Sequence, residues 1–367
     1  MKKFLTVGAV IFTAILAGCA PQEKYEIALV TDVGDIDDGS FNQGSWEGVV
    51  AYAEEFDKTY AYYKPIEVSS DEYLTTIELA VENGADIVVT PGFLFETPIF
   101  FAQDEFPETK FILLDGVPND GNWGGPNGPE FRIEDNVASI LYAEEQSGWL
   151  AGYAAVADGY RQLGFMGGMP VPAVVRFGIG FAQGAEAAAI DLGLTEPVII
   201  DYHYTGDFAA TPENAAVAET MYQTGTEVIF AAGGAVAFSV AKEAEEAGAK
   251  MIGVDVDQVG LSETVITSAM KGLTTSVYQT LEAFYNDEFP GGEITVLDAS
   301  NDGVGLPTAE ASWKFENFTI AEYEEVYQDL AEGLYVVLAN DIYPVSNFET
   351  LEDLDADLTL VDLIWIN

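Results

Sequence analysis

Short apolar runs that end in aspartate or glycine alternate with longer amphipathic stretches along most of this chain. The first run, 25–31, predicts a buried strand. Residues 45–56 follow at helical spacing, with Trp46, Val49, Val50 and Ala53 on one face. A strand is then predicted over 66–69 and a helix over 73–83, closed by Gly84. Residues 86–90 predict a strand ending at Pro91-Gly92, 95–105 a helix, and 110–114 a strand ending at Asp115. This βαβαβ rhythm implies a parallel sheet with helices on both faces.

The rhythm restarts after a long, mostly apolar helix predicted over 136–157. Strands are expected at 162–166, 197–204, 227–231, 250–254, 265–268 and 294–297. Helices are expected at 177–192, 209–224, 235–247 and 277–285, and an acidic, amphipathic segment runs over 320–333. Two α/β halves in tandem predict two lobes. Asp32, Gly92, Asp115, Gly167-Gly168, Gly233-Gly234 and Asp255 all follow apolar strands. Ligands of open parallel sheets bind beyond the carboxyl ends of the strands, so these residues would line one cleft.

Composition narrows the partners. The chain has 367 residues, enough for two domains, with 13 basic and 62 acidic residues and a net charge of −49. Such a charge repels nucleic acid. An apolar content of 49% and an aromatic content of 12% argue against disorder. The acids are spread along the chain, which fits either a solvated shell suited to high salt or a role in binding cations or a basic partner. At the N-terminus, Met1-Lys2-Lys3 precedes an apolar run over 4–18. It is shorter than the ~20 residues of a spanning helix and fits a secretory signal. The run ends in Leu16-Ala17-Gly18-Cys19, similar to the lipobox of bacterial lipoproteins, and Cys19 is the only cysteine. The expectation is a signal peptide over 1–18, lipidation of Cys19, a tether over 19–24 and no disulfide within the chain.

Four groups carry candidate chemistry. Asp32, Asp35, Asp37 and Asp38 crowd the loop after the first strand. A carboxylate there can accept both hydroxyls of a vicinal diol, or it can shape the turn that caps the next helix, with Ser40 or Asn42 as N-cap. Phe41 offers a flat face for a planar ring, or packs beneath the loop; Asn42 both donates and accepts, which suits the edge of a purine. Phe177 and Phe181, after Arg176, offer a second ring, one for the cleft and one for the core. Asp255 ends a strand as Asp32 does, and Lys271 either pairs with it or donates to a ligand oxygen. His203 is the sole histidine, so zinc and serine-hydrolase sites lack parts. There is no GxxxxGK[ST] phosphate loop, and no cofactor or metal is expected.

The stretch T-D-V-G-D-I-D-D-G-S-F-N-Q-G-S-W-E-G, with K-F-I-L-L-D, Q-S-G-W-L-A-G-Y, G-F-M-G-G-M and G-V-D-V-D-Q, resembles the basic membrane protein family of bacterial lipoproteins over nearly the whole chain. These are substrate-binding components of ABC importers, several of them for purine nucleosides. The resemblance implies a type I periplasmic-binding-protein fold: α/β, two Rossmann-like lobes joined by a three-strand hinge. The lobes would comprise 25–137 with 276–303, and 138–275 with 304–367. It also implies that Phe41 and Phe177 sandwich a base, that Asn42 and Asp115 read its edge, and that Asp32, Asp255 and Lys271, with Gly233, hold the ribose. The partners would be a purine nucleoside and permease subunits, the location the outer face of the cytoplasmic membrane, and the protein a monomer. Two features depart from the family: a Gly- and Pro-rich insertion over 118–129, and few lysines.

Another class competes. The acidic loop is also similar to the D-x-D-P-G-x-D-D loop of nucleoside hydrolases, which binds calcium. Here Val30 stands at the first Asp, Val33 replaces Pro, and one extra residue precedes Asp37-Asp38. A binder of sugars or another small ligand is the third reading.

Overall fold

A computed structural model describes residues 24–338 and 358–366. The predicted signal segment, Cys19 and all of the tether except Lys24 lie outside the described residues. Two sheets organise the chain. The first has the order β11-β5-β4-β3-β1-β2, all parallel. Its strands are β1 (Ile27–Val30), β2 (Tyr60–Tyr63), β3 (Ile87–Pro91), β4 (Lys110–Leu114), β5 (Val137–Tyr142) and β11 (Glu293–Leu297). The second has the order β12-β10-β9-β8-β6-β7-β13, parallel except for the β10–β12 pair. It comprises β6 (Gln162–Gly167), β7 (Val198–Tyr204), β8 (Val228–Ala232), β9 (Lys250–Asp255), β10 (Val265–Lys271), β12 (Val304–Gly305) and β13 (Val361–Trp365).

Helices α1 (Phe41–Glu55), α2 (Ser70–Glu82), α3 (Glu96–Glu105) and α8 (Leu273–Tyr285) accompany the first sheet. Helices α4 (Glu144–Asp158), α5 (Pro172–Asp191), α6 (Pro212–Thr224), α7 (Val236–Ala247) and α9 (Ile320–Ala331) accompany the second. The chain passes between the sheets three times: from β5 into α4, from β10 into α8, and from β11 to β12. This is the two-lobed α/β arrangement expected from the sequence pattern, with the three crossings that the family resemblance implies.

Three expectations change. The second strand is 60–63, not 66–69: Ile66 and Val68 are 89% and 60% exposed, whereas Tyr60 to Tyr63 pair in register with β1, and Tyr60 and Tyr62 pack on Trp46. The segment 136–157 is not one helix but β5 and α4, separated at Ala143. Both parts are almost wholly buried, so apolar periodicity does not distinguish them. As a result the first crossing follows Tyr142, and residues 138–142 belong to the first lobe, not the second as the expected boundary at 137 had it. Finally, α1 starts at Phe41 and α5 at Pro172, four and five residues earlier than expected.

The tightest packing is between α4 and α5. A Cβ built on Gly180 would lie 1.9 Å from the Glu145 carbonyl oxygen, and one on Gly184 1.9 Å from that of Trp149. The two backbones touch only because these positions have no side chain. The crossing brings the start of α4 against Arg176 on α5.

Candidate functional site

Strand order reverses at β1 in the first sheet and at β6 in the second. Such reversals part the flanking loops and leave a crevice at the carboxyl ends of the strands. Here the two crevices face each other across a cavity of about 660 Å³. Asp32, Phe41, Asn42, Asp115, Phe177, Gly233, Asp255 and Lys271, the eight residues singled out from the sequence, all line it.

The acidic loop separates by role. Asp38 caps α1: its carboxylate accepts from the backbone N–H of Ser40 (2.8 Å), Asn42 (3.1 Å) and Gln43 (3.1 Å). Asp35 pairs with Lys64 on the surface at 2.6 Å. Asp32 accepts from Gly34 N–H (3.0 Å) and from Asn42 Nδ2 (2.9 Å). Asn42 gives its other amide proton to Asp38 (2.9 Å), so both its N–H groups serve the loop. Burial pushes Asp32 up to about 6 despite these donors, and it raises Asp38 as well. Neither Ser40 nor Asn42 caps the helix through its side chain. Ser40 Oγ instead reaches across the cleft and donates to Asp255 Oδ2 at 2.5 Å.

The cleft floor is ionic. Lys271 ends β10 with its side chain fully enclosed. Its Nζ donates to Asp115 Oδ2 at 2.6 Å and lies 3.0 Å from Glu144 Oε1 and 3.6 Å from Asp255 Oδ1. Behind it, Arg176 Nε donates to Glu144 Oε2 at 2.5 Å. Burial would raise Glu144, but the Arg176 guanidinium and the Lys271 ammonium overcome it and hold the carboxyl at about 2. Burial raises Asp115 to about 7, with Lys271 opposing and Glu144 adding to the rise. Its other oxygen, Oδ1, is buried with no hydrogen-bond partner. Asp115, just after β4, and Asp255, at the end of β9, both have positive φ, 56° and 66°, and both line the cleft.

Lys271 Nζ lies 4.6 Å from the Phe41 ring centre and 5.3 Å from that of Phe177, so the two rings flank one ammonium. Phe177 is the cleft-facing member of its pair. Phe181 is enclosed between Phe165 and Phe230. Gly233 packs against Gly168, where a Cβ would lie 2.9 Å from the backbone nitrogen. Trp123 of the 118–129 insertion stacks edge-on with Phe131 and takes no part in the cavity wall.

Sequence reasoning missed several residues. Phe208 and Phe238 also line the cavity, and Glu144 and Arg176 support its floor. The signal for Glu144 was the pair Glu144-Glu145, since acidic residues favour the first turn of a helix. Beside Ser40–Asp255 and Lys271–Asp115, a third inter-lobe bond runs from Gln258 Nε2 to the Gly39 carbonyl at 2.8 Å. Among the described residues, no group of three or more His, Cys, Asp or Glu side chains is arranged to hold a metal ion, and no helix is long and apolar enough to cross a membrane.

Comparison with known proteins bears on this cleft. The family model described as "ABC transporter substrate-binding protein PnrA-like" matches residues 25–335. A Lactococcus lactis protein named "ABC transporter nucleoside-binding protein BmpA" is 28% identical over 340 residues, covering 83% of this chain and 91% of its own. An uncharacterized lipoprotein of Pyrococcus furiosus is 26% identical, covering 86% of this chain and 79% of its own. The crystal structure of an ABC-transporter solute-binding protein from Aeropyrum pernix superposes with a TM-score of 0.72 at 24% identity, covering 90% of this chain and 97% of that one. The fold is that of type I periplasmic binding proteins.

Proposed function

Because this chain belongs to the PnrA-like family of ABC-transporter substrate-binding proteins, whose members bind solutes and do not catalyse reactions, we propose that its cleft takes a purine nucleoside for delivery to a permease. Family membership removes the calcium-dependent hydrolase reading. The observation that carries the proposal is the pairing of two cleft-facing rings with carboxylates whose cations are already engaged. Lys271 is shared by three acids, and Asp115 Oδ1 lacks a donor. Such a floor favours a neutral ligand with a flat ring and several N–H and O–H donors, and it disfavours a phosphate.

In this reading the base lies between Phe41 and Phe177, and its edge donates to Asp115. Asp32 and Asp255 receive the ribose hydroxyls, with the Gly233 backbone alongside. Asn42 and Lys271 act by fixing Asp32 and Asp115. The nucleoside-binding name of the Lactococcus relative supports the ligand class. Lipidation of Cys19 would tether a monomeric binding body outside the membrane, in keeping with the lipoprotein name of the Pyrococcus relative.

Mass spectrometry of ligand retained after native purification tests this directly, together with thermal shifts in inosine, guanosine or adenosine. Stabilisation by a nucleoside, without release of free base, supports the reading. A sugar that stabilises where nucleosides do not would overturn it.

A further inference from the structure

Glu144 and Arg176 are wholly enclosed, yet neither lines the cavity. They continue a chain of charges behind Lys271: Arg176 to Glu144 at 2.5 Å, Glu144 to Lys271 at 3.0 Å, Lys271 to Asp115 at 2.6 Å. We propose that Glu144 and Arg176 are positioning residues of the cleft: they hold the Lys271 ammonium to one oxygen of Asp115 and keep the other oxygen open for a ligand donor.

Asp115, Glu144 and Asp255 share Lys271 and Arg176, with Glu145 3.9 Å from Arg176 as a further acid, so when all are ionised the carboxylates outnumber the cations. Buried charge is costly unless paired, and the geometry decides where the deficit falls. Glu144 touches both cations. Asp255 has Ser40 Oγ as well as the more distant ammonium. Asp115 has the ammonium on one oxygen and nothing on the other. Without Glu144, Lys271 would be released toward Asp115 and Asp255, and its protons would cover the open oxygen. Arg176 would then retain only Glu145, at 3.9 Å.

The groups around Asp115 come from five elements: Tyr142 from β5, Glu144 from α4, Arg176 from α5, Asp255 from β9 and Lys271 from β10. Glu144 and Arg176 act on it with opposite sign. The charge of Glu144 favours the protonated acid, and that of Arg176 favours the carboxylate.

The test is the titration of the Asp115 carboxyl carbon, followed by NMR in the ligand-free protein and assigned with Asp115→Asn. Glu144→Gln should move its midpoint down by roughly half a pH unit or more, and Arg176→Gln should move it up by a similar amount. Arg176→Lys should stay close to wild type. If Arg176→Gln does not fold, the double variant Glu144→Gln/Arg176→Gln, which strands no lone charge, should titrate above Glu144→Gln alone. Midpoints that do not move, or that move in the same direction for both charges, overturn the proposal, because groups with no electrostatic hold on the Asp115–Lys271 pair have no reason to give opposite signs.

A second arm rests on the nucleoside reading. Glu144→Gln should weaken inosine at pH 8 about tenfold, near 1.4 kcal/mol, with Glu144→Asp partly restoring it; unchanged affinity would overturn positioning. If wild type binds no nucleoside, it is the functional reading that fails, and the titration still decides the role of Glu144.

Discussion

Asp32 shows how a single carboxylate is kept ready for a ligand. It is raised from 3.8 to about 6 because burial outweighs the Gly34 and Asn42 donors. The folded protein therefore holds this proton more tightly than the unfolded chain does. The associated destabilisation is absent below the unfolded value, grows between 3.8 and about 6, and is complete above that. Asp32→Asn keeps an acceptor for both donors and removes the charge. In the ligand-free protein it should gain on the order of 2 kcal/mol at pH 8 and almost nothing at pH 3.5, read by urea unfolding; a difference that does not change with pH would refute the account. The rings make a second residue-scale case. Phe41→Ala should weaken purine nucleoside binding by about 1–3 kcal/mol in calorimetry, and an unaltered affinity would remove Phe41 from any stack. The sequence showed where these residues converge, since each follows an apolar strand or opens the helix after it. It did not show which donors were already taken. Asn42 looked free to read a base until its carboxylate partners were in view, and for Lys271 the pairing with Asp255 was one of two readings, whereas Asp115 and Glu144 were not foreseen as its partners.

At the scale of elements, the α4–α5 crossing depends on missing side chains. Gly180→Ala would drive a methyl group into the Glu145 carbonyl, a backbone atom that cannot swing aside. The expected loss is at least about 2 kcal/mol in denaturant unfolding. Gly260→Ala, where no heavy atom lies within 4 Å of the added Cβ, should be close to neutral. Equal effects for the two variants would mean that the crossing is not tightly packed. The same crossing explains why part of the fold was hidden. The helix predicted over 136–157 merges a strand and a helix that are both enclosed, and an element without a wet face has no period to read. The strand misplaced at 66–69 has the opposite cause. Ile66 and Val68 are apolar but exposed, while the true strand, Tyr60 to Tyr63, is half-buried at the edge of the sheet and carries no run of aliphatic residues. Strands with one partner sheet and clear boundaries, such as β3, β4 and β8, appeared where they were expected.

For the molecule as a whole, a net charge of −49 must be tolerated by two lobes that face each other across a cleft. Salt shortens the reach of that repulsion, from about 10 Å at 0.1 M to about 3 Å at 1 M. If the acidic shell is a salt adaptation, the melting temperature should rise as KCl is increased into the molar range, and a fall would exclude the idea. Two of the contacts that join the lobes, Ser40 to Asp255 and Gln258 to the Gly39 carbonyl, are made by the protein alone. They lower the free energy of a shut cleft whether or not anything is inside. The consequence is kinetic. An empty molecule that spends part of its time shut makes an arriving ligand wait for it to part. The observed capture rate should then level off as ligand is added, at a ceiling set by how often these contacts and the Lys271–Asp115 pair break. Ser40→Ala should lift that ceiling in stopped-flow measurements, trading retention for speed of uptake.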